Sequence, residues 1–400
     1  MYYQASESMS ELEKKILFFL AQGRATRSEI ASAVGISRTQ LARVVPHLLS
    51  SGAVAVVGAV ESSHGRRAEL LEIPLAAAAH IGIAVSRMDI SCVVINHLEE
   101  CLYKKTRAHI AMSESEFVHE IIEFIRELRD ECHGVGVDIQ TAISCGVTLP
   151  FPLPLGGRVR VGAQNSSQLG VEEKRAEYDG VTAGSSQLAR HLAASVQKQL
   201  PGVSVLVDNT MRMGALGEVR FGAGAQHATQ IYVGISGGVA ATVTFNRRLL
   251  YGENGIGGEL GHVNVPGEST PCQCGKTGCL ETVLAYRFFC RRAGVKTVSE
   301  LRDAYLAKDP QALKAVDDAV RALAHALAGT VLTLGFTFII LGGSVSAEFP
   351  ELVELVEHRL SLELFPSPQW RLSVSQATLG SWAPAWGAAI GYRALREERI

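Results

Sequence analysis

The sequence lacks the features of membrane-spanning, secreted and polybasic proteins. Its longest apolar stretches, at residues 75–85 and 332–341, contain Thr, Gly or His and fall short of the roughly 20 residues of a membrane helix. Residues 1–13 have neither the basic start nor the apolar run of a secretory signal, so we expect a cytoplasmic protein without a membrane span. Lys and Arg number 38 against 40 Asp and Glu, and this net charge of −2 excludes a histone-like or polybasic chain.

A disulfide framework is missing as well. Five of the eight cysteines stand singly in apolar surroundings, as small buried thiols do: Cys92, Cys101, Cys132, Cys145 and Cys290. Only Cys272, Cys274 and Cys279 form a cluster. With 47% hydrophobic and 20% charged residues, the chain is not disordered, and its 400 residues suffice for two or three domains with real cores.

Three helices are predicted near the start of the chain. Apolar residues at helical spacing predict a first helix over 11–22. Thr26 is suited to cap a second helix over 27–34, which Gly35 ends, and Ser37 is suited to cap a third. This order is typical of a helix-turn-helix.

Two short strands follow these helices. Alternating valines at 54–60 and an apolar segment at 70–73 predict strands that are joined by a basic turn, the wing of a winged helix. We therefore assign residues 1–74 to a winged helix-turn-helix domain, 75–80 to a linker and 81–400 to a larger domain.

The charge of the first domain is suited to DNA. Between residues 24 and 67 there are six arginines and two glutamates, a local charge of +4. The start of the third helix would enter the major groove, with Arg38 or Gln40 reading base edges, and the wing would reach phosphates or a minor groove. The predicted DNA contacts are Ser37, Arg38, Thr39, Gln40, Arg43, Arg66 and Arg67. The alternative is a solvated charged face. Pro46 predicts that the third helix is kinked or shortened near Val45.

The larger domain has the pattern of two related α/β lobes. Strands are predicted at 81–85, 92–95 and 141–147 around a helix at 114–132, and again at 231–235, 239–245 and 336–341 around helices between 311 and 334. Residues 151–183 are rich in Pro, Gly, Ser and Gln and predict loops, which often carry ligand contacts.

The cysteine cluster predicts a metal site. One imidazole and three thiols, from His262, Cys272, Cys274 and Cys279, complete a tetrahedral zinc site. Four protein ligands leave no position for a reactive water, so we expect one structural zinc ion per chain. The alternative is a set of reduced surface cysteines.

The chain resembles the ROK family of repressors and sugar kinases over about residues 80–400. The similarity is carried by 258–262 (Gly-Glu-Leu-Gly-His), 272–282 (CxCGxxGC-Leu-Glu-Thr), 207–209, 215–218, 341–343 and 386–389. It implies an actin-like, ribonuclease H-like pair of lobes that close on a sugar, a structural zinc, and a homodimer or homotetramer. With a winged helix in front, the chain looks like the repressor branch.

The resemblance also implies the sugar contacts. The family's sugar-binding residues correspond to Asn209, Glu259, His262 and Glu281, with Asn165 a weaker candidate. Carboxylates and amides suit vicinal hydroxyls, and His262 could use one ring nitrogen for the metal and one for the sugar. The alternative for the two glutamates is ordinary surface salt-bridging.

The kinase positions depart from the family. Thr210 stands where the kinases have their catalytic Asp, and Thr cannot act as that base near neutral pH. The first phosphate loop, which should begin with an Asp after a strand, has Ala84 and Ser86 in that region. In the second, Ala240 and Thr242 replace glycines, and added methyl groups block close approach of the backbone to phosphate. We therefore predict no kinase activity.

Together these features predict a sugar-responsive DNA-binding transcription regulator, a repressor of carbohydrate metabolism genes. Its partners would be a palindromic double-stranded operator and a sugar or sugar-phosphate effector, with lobe closure relayed through the linker. Two alternatives stay open, namely an active sugar kinase with a DNA-binding domain and a ligand-independent DNA-binding protein.

Overall fold

The computed structural model describes residues 10–20, 22–50, 52–61, 67–74, 80–86, 89–108, 114–150, 159–161, 181–252, 255, 257–367 and 371–397. The chain forms two compact units: unit 1 comprises Met1–Thr210 and Ala388–Ile400, and unit 2 comprises Met211–Gly387. Among the described residues, no helix has both the length and the hydrophobicity of a membrane span.

Unit 1 begins with the predicted winged helix-turn-helix. Its elements are α1 (Glu11–Leu20), β1 (Ala25–Thr26), α2 (Arg27–Val34), α3 (Arg38–Ser50), β2 (Ala55–Glu61) and β3 (Arg67–Glu72). The strands form an antiparallel sheet in the order β1-β3-β2. Helix α2 starts where the sequence predicts because the Thr26 and Glu29 side chains form a reciprocal capping box, and it ends at Gly35 in the left-handed conformation.

Helix α3 differs from the prediction at Pro46. The helix is not shortened near Val45 but continues through Pro46 to Ser50. A proline inside a helix costs about 3 kcal/mol. Leu41, Val45 and Leu48 are almost completely buried in the core of the winged helix, and each such burial stabilises by about 1.5–3 kcal/mol. Packing therefore offsets the lost hydrogen bond.

The second part of unit 1 is a six-stranded sheet in the order β6-β5-β4-β7-β9-β8. Its elements are β4 (His80–Val85), β5 (Asp89–Ile95), β6 (Cys101–Ala108), α4 (Glu114–Gly134), β7 (Ser144–Leu149), β8 (Val159–Val161), α5 (Val181–Gln199) and β9 (Ser204–Asn209). Strands β4, β7 and β9 are parallel, whereas β5 and β6 continue the sheet as antiparallel strands.

Unit 2 repeats this arrangement, with the order β12-β11-β10-β13-β14. Its strands are β10 (Gln230–Ile235), β11 (Val239–Phe245), β12 (Arg248–Leu250), β13 (Phe338–Gly342) and β14 (Ser373–Gln376). Its helices are α6 (Thr210–Phe221), whose first residue belongs to unit 1, α7 (Glu281–Leu284), α8 (Tyr286–Arg292), α9 (Val298–Leu306), α10 (Pro310–Leu334), α11 (Gly343–Glu348) and α12 (Leu352–Glu363). Helix α13 (Ala383–Glu397) begins in unit 2 and continues into unit 1. In both sheets an antiparallel three-stranded meander is followed by parallel strands, which confirms the predicted pair of α/β lobes.

Two predicted segments differ in detail. His80, placed at the end of the linker by the sequence, is the first residue of β4, and residues 75–79 lie outside the described part of the chain. Within the predicted loop region 151–183, residues 159–161 form β8 and α5 begins at Val181, and the remaining residues are not described.

Candidate functional site

The predicted metal ligands lie together in unit 2. The ligand atoms of His262, Cys272, Cys274 and Cys279 are all within 4.8 Å of one another. His262 Nδ1 is 3.7 Å from Cys272 Sγ, and the Sγ atoms of Cys274 and Cys279 are 3.6 Å apart. Ligands bonded to zinc at about 2.0–2.3 Å in a tetrahedron have similar separations. The geometry therefore fits a four-coordinate metal ion.

The loop that carries the cysteines is closed by its own backbone. The amide of Cys272 donates to the Lys276 carbonyl at 2.8 Å, and the amide of Gly275 donates to the Cys272 carbonyl at 3.1 Å. Gly278 has φ +75°, and a Cβ there would come within 2.4 Å of the Glu268 carbonyl oxygen. The glycine before Cys279 is thus required for the close approach that brings the last thiol to the cluster.

Glu268 holds this loop in place and was not singled out from the sequence. Its carboxylate accepts hydrogen bonds from the amides of Ser269 and Thr270, at 2.9 and 2.8 Å, and forms an ion pair with Arg292 on α8. Burial raises the pKa of Glu268, but the hydrogen bonds from Thr270 and Arg292 outweigh burial and lower it. Because Arg292 is 24 residues away from Glu268 in sequence, no local pattern predicts this pair.

The thiols of the cluster ionise unequally. Burial, followed by hydrogen bonds with the neighbouring thiols, raises the pKa of Cys279 to about 12. Burial also opposes ionisation of Cys274, but the Lys276 amide and the two other thiols lower its pKa. Because zinc binds thiolates, loading the site must release protons.

Two predicted sugar contacts, Glu259 and His262, lie side by side. His262 ends a 3₁₀ turn, and its Nε2 is 3.7 Å from a carboxylate oxygen of Glu259, while Nδ1 is directed at Cys272. The two ring nitrogens therefore have different neighbours, a predicted metal ligand at Nδ1 and a predicted sugar contact at Nε2. Gly258, with φ +99°, passes so close under the Ala241 carbonyl that a Cβ would lie 2.0 Å from its oxygen, which fixes the start of this turn.

Glu281 is placed next to the same loop. It begins α7, two residues after the metal ligand Cys279, and its carboxylate accepts a hydrogen bond from the Val239 amide at 3.3 Å. A Cβ on Gly238 would lie only 2.8 Å from this carboxylate. The carboxylate thus faces the turn between β10 and β11, where it accepts a hydrogen bond from the backbone.

Asn209 lies in unit 1, as the last residue of β9. Its backbone N–H donates to the carboxylate of the buried Asp208 at 2.7 Å. Thr210 begins α6, and its hydroxyl donates to Thr148 Oγ1 at 3.0 Å. The hydroxyl of Thr210, the residue that the sequence analysis places at the kinase base position, is therefore hydrogen-bonded within the protein. Asn165 lies outside the described residues.

The two turns that the sequence analysis compares with phosphate loops form hydrogen bonds within the protein. In unit 2 the amide of Ser236 donates to the Gly238 carbonyl at 2.9 Å, and its hydroxyl accepts from the Ser344 amide at 3.0 Å. The turn ends before Ala240 and Thr242, which are paired strand residues of β11. In unit 1 Ser86 and Asp89 bond to each other through both backbone and side chains.

The predicted DNA-binding residues of α3 are not equivalent. Ser37 and Gln40 form a capping box, in which the side-chain oxygen Oε1 of Gln40 accepts from the backbone amide and the hydroxyl of Ser37, both at 3.0 Å. Arg38, Thr39 and Arg43 are exposed on the same helix.

The wing and the turn before α2 carry the remaining charges. Arg67 begins β3 and is exposed, whereas Arg66 is outside the described residues. Arg24 and Arg27 form ion pairs with Glu72 and Glu69 of β3. The local charge of +4 is therefore partly neutralised by glutamates just beyond residue 67.

A sequence model of the ROK family matches residues 80–394. The chain belongs to the ROK family. The xylose repressor of Bacillus spizizenii is 23% identical over 390 residues, which cover 95% of this chain and 94% of that protein. The glucokinase of Halalkalibacterium halodurans is 32% identical over 203 residues, 46% of this chain and 62% of the glucokinase.

Solved ROK structures share the fold. A ROK family transcriptional regulator described as a homologue of the E. coli MLC protein has a TM-score of 0.67 at 20% identity, over 96% of each chain. The ROK hexokinase of Thermus thermophilus has a TM-score of 0.62 at 24% identity, and covers 80% of this chain and 99% of its own. Of these two structures, the regulator matches almost the whole length of both chains.

Proposed function

We propose that this ROK protein is a sugar-responsive DNA-binding repressor of carbohydrate metabolism genes, without phosphotransfer activity. One observation carries the proposal: a winged helix precedes a ROK domain that keeps the polar sugar-side residues while a bonded hydroxyl, Thr210, takes the place of the kinase base. The near full-length similarity to a xylose repressor supports the same conclusion.

DNA recognition falls to the exposed side chains at the start of α3. Arg38 is the leading candidate for a bidentate contact to guanine. Gln40, the other residue predicted to read bases, uses its side-chain Oε1 in the helix cap. Arg43 and Arg67 are placed to neutralise phosphates, with Ser37, Thr39 and Arg66 as further contacts. A homodimer or homotetramer would require a palindromic operator with half-sites about one helical turn, or a multiple of it, apart.

Effector recognition falls to the polar residues around the metal loop. Glu259 and Glu281 accept hydrogen bonds from sugar hydroxyls, and His262 donates or accepts through Nε2. Asn209 and Asn165 remain sequence-based predictions for the same role. A structural zinc ion, held by His262, Cys272, Cys274 and Cys279, fixes the tautomer of His262 and the shape of the loop.

The experiment combines ligand screening with DNA binding. Full-length protein is tested by thermal shift against D-xylose, D-glucose, N-acetyl-D-mannosamine, their phosphates and ATP, and operator fragments are selected from random duplex DNA. We expect one sugar class to raise the melting temperature and to change operator affinity, and ATP to do neither. Operator binding that no sugar changes would contradict the proposal.

An active sugar kinase is the second candidate, since the glucokinase similarity reaches 32%. A coupled assay of ATP consumption with the same sugars decides between the two. Turnover by the unmodified chain would favour the kinase. Turnover that appears only in Thr210→Asp would support a sugar site that has lost its base.

A further inference from the structure

One residue outside the winged helix packs against its hydrophobic core. The core of this domain includes Ile16, Leu48 and Leu71, and Ile143 packs against it although it lies some 70 residues beyond β3. Ile143 directly precedes β7 of the six-stranded sheet. The DNA-binding domain and this sheet therefore share an apolar contact inside unit 1.

Ile143 is firmly held on the side of the sheet. Its carbonyl accepts a hydrogen bond from the Ser204 amide at 3.1 Å, at the start of β9. The next residue, Ser144, is bonded through its hydroxyl to His80 Nδ1 at 2.8 Å, at the start of β4. All three parallel strands thus begin at the same end of the sheet, where Ile143 lies.

A second interaction with the winged helix lies at the same end of the sheet. His80 pairs with Ile95, so the turn that follows β5 is at this end too, and it contains the buried His97. Burial lowers the pKa of His97, and the carboxylates of Glu72 and Glu100 oppose this shift without reversing it. Because Glu72 belongs to β3, its charge acts on His97 from the winged helix.

Strand β7 runs from this end of the sheet to the opposite end. All six of its residues are buried, and it pairs with β4 on one side and β9 on the other. Gly146, in its middle, lies so close to the Ala388 carbonyl that a Cβ would be 2.0 Å from the oxygen. A displacement of β7 must therefore also displace the backbone at Ala388, because protein interiors are close-packed.

The far end of β7 contacts the predicted ligand side of unit 1. Thr148 Oγ1 accepts from Thr210 at 3.0 Å and from the Val85 amide at 3.3 Å. Thr210 directly follows Asn209, a predicted sugar contact. Five residues separate Ile143 from Thr148, about 16 Å of extended chain.

We propose that β7 is the coupling element of the regulator, and that Ile143 transmits the ligand state at the Thr148 end to the winged helix. This inference rests on the proposed sugar response, and it replaces a relay through the linker by a relay through a buried strand. Coupling requires a ligand to favour one placement of the strand, and packing at Ile143 passes that preference to the DNA-binding domain.

The test uses Ile143→Ala in the full-length protein, with Ile122→Ala as the matched control. Ile122 is also a partly buried isoleucine, but it packs against the core of the sheet and not against the winged helix. Three affinities are measured for each protein: for the sugar of the D-xylose, D-glucose and N-acetyl-D-mannosamine set with the largest thermal shift, for the selected operator alone, and for the operator at saturating sugar.

We expect the affinities of Ile143→Ala for sugar alone and for operator alone to stay within about threefold of those of the unmodified protein. The factor by which sugar changes operator affinity should fall at least fivefold, which is within the usual range of coupling. Ile143→Val should lose part of the coupling, and Ile122→Ala none.

Full coupling in Ile143→Ala would overturn the relay but not the proposed function. Loss of operator binding by both Ile143 variants without sugar would also overturn it, since Ile143 would then only maintain the domain's fold. An unmodified protein without any sugar effect would overturn the proposed function and the relay together.

Discussion

The two larger sheets of the molecule share a strand pattern but have different surroundings, and the sheet of unit 1 has one additional strand, β8. In both, a meander is followed by parallel strands, and in both the first hairpin turn is tied by serine hydrogen bonds, at Ser86 in unit 1 and Ser236 in unit 2. The sheet of unit 1 carries the winged helix at one edge, whereas unit 2 carries the metal loop. Under the proposed function, this scaffold supports DNA binding in unit 1 and organises the ligand loop in unit 2.

Among the substitutions that should affect one unit and not the other, we expect the largest effect from the loss of a metal ligand. In Cys279→Ser the cluster keeps three ligands, so zinc content should fall from about one ion per chain to nearly none, and sugar binding should be lost with the loop. Structural zinc contributes about 10–16 kcal/mol in zinc-finger peptides at neutral pH. Operator binding without sugar should survive, because the winged helix belongs to unit 1.

Metal analysis and operator titration measure this difference. Cys101→Ser is the control, because Cys101 is an exposed thiol outside the cluster and its removal should leave zinc and sugar binding unchanged. A purified unmodified chain that is stable and free of metal would refute the structural role of zinc.

The next effect concerns unit 1 alone. Arg38→Ala should weaken operator binding about 5- to 150-fold, since a good base contact contributes about 1–3 kcal/mol, and should leave sugar binding unchanged. Arg27→Ala should change operator affinity less than about threefold, because the Arg27 guanidinium is paired with Glu69. Anisotropy titration of labelled operator at fixed salt measures both, and equal losses would remove Arg38 from the reading surface.

A comparable change is expected in unit 2 from Glu259→Gln. The substitution keeps the shape but removes the charge-assisted hydrogen bonds, which contribute about 1.5–3 kcal/mol each, so sugar affinity should fall roughly 10- to 100-fold. The exposed Glu354, on α12, provides the control Glu354→Gln with unchanged affinity. Calorimetric titration measures the two constants, and an unaltered affinity in Glu259→Gln would exclude this carboxylate from the site.

The smallest effect is the pH dependence of the α2 cap. The hydrogen bonds from Thr26 lower the pKa of Glu29 in the folded state. A lowered folded pKa means that the stabilisation is present above the ordinary glutamate value and is lost as the pH falls through the folded pKa. Glu29 is largely exposed, so Glu29→Gln should cost only a few tenths of a kcal/mol at pH 7. The difference in unfolding free energy should vanish in acid, and a difference independent of pH would contradict the assignment.

Local signals made much of this molecule predictable. The caps at Thr26 and Gly35 define α2 at the predicted residues, and the metal ligands lie within 18 residues, so their cluster is visible in the chain. Long-range contacts were not predictable. The pairs Arg24–Glu72 and Arg27–Glu69 span 48 and 42 residues, and they weaken the basic surface that the sequence indicates.

Two further residues show why such predictions stop short. Gln40 is three residues after Ser37, and this spacing suits a capping box as well as a base contact, so the sequence alone could not assign its side chain. Ile143 looks like an ordinary start of a strand, and its contact with the winged helix depends on how the chain returns to that domain.

The most direct test of the account is operator affinity in one preparation of full-length protein, measured without ligand, with the sugar from the thermal screen and with ATP. The account predicts at least a fivefold change with the sugar, none with ATP, and no consumption of ATP in the presence of both. An operator affinity that stays constant with every sugar, or ATP turnover by the unmodified chain, would contradict it.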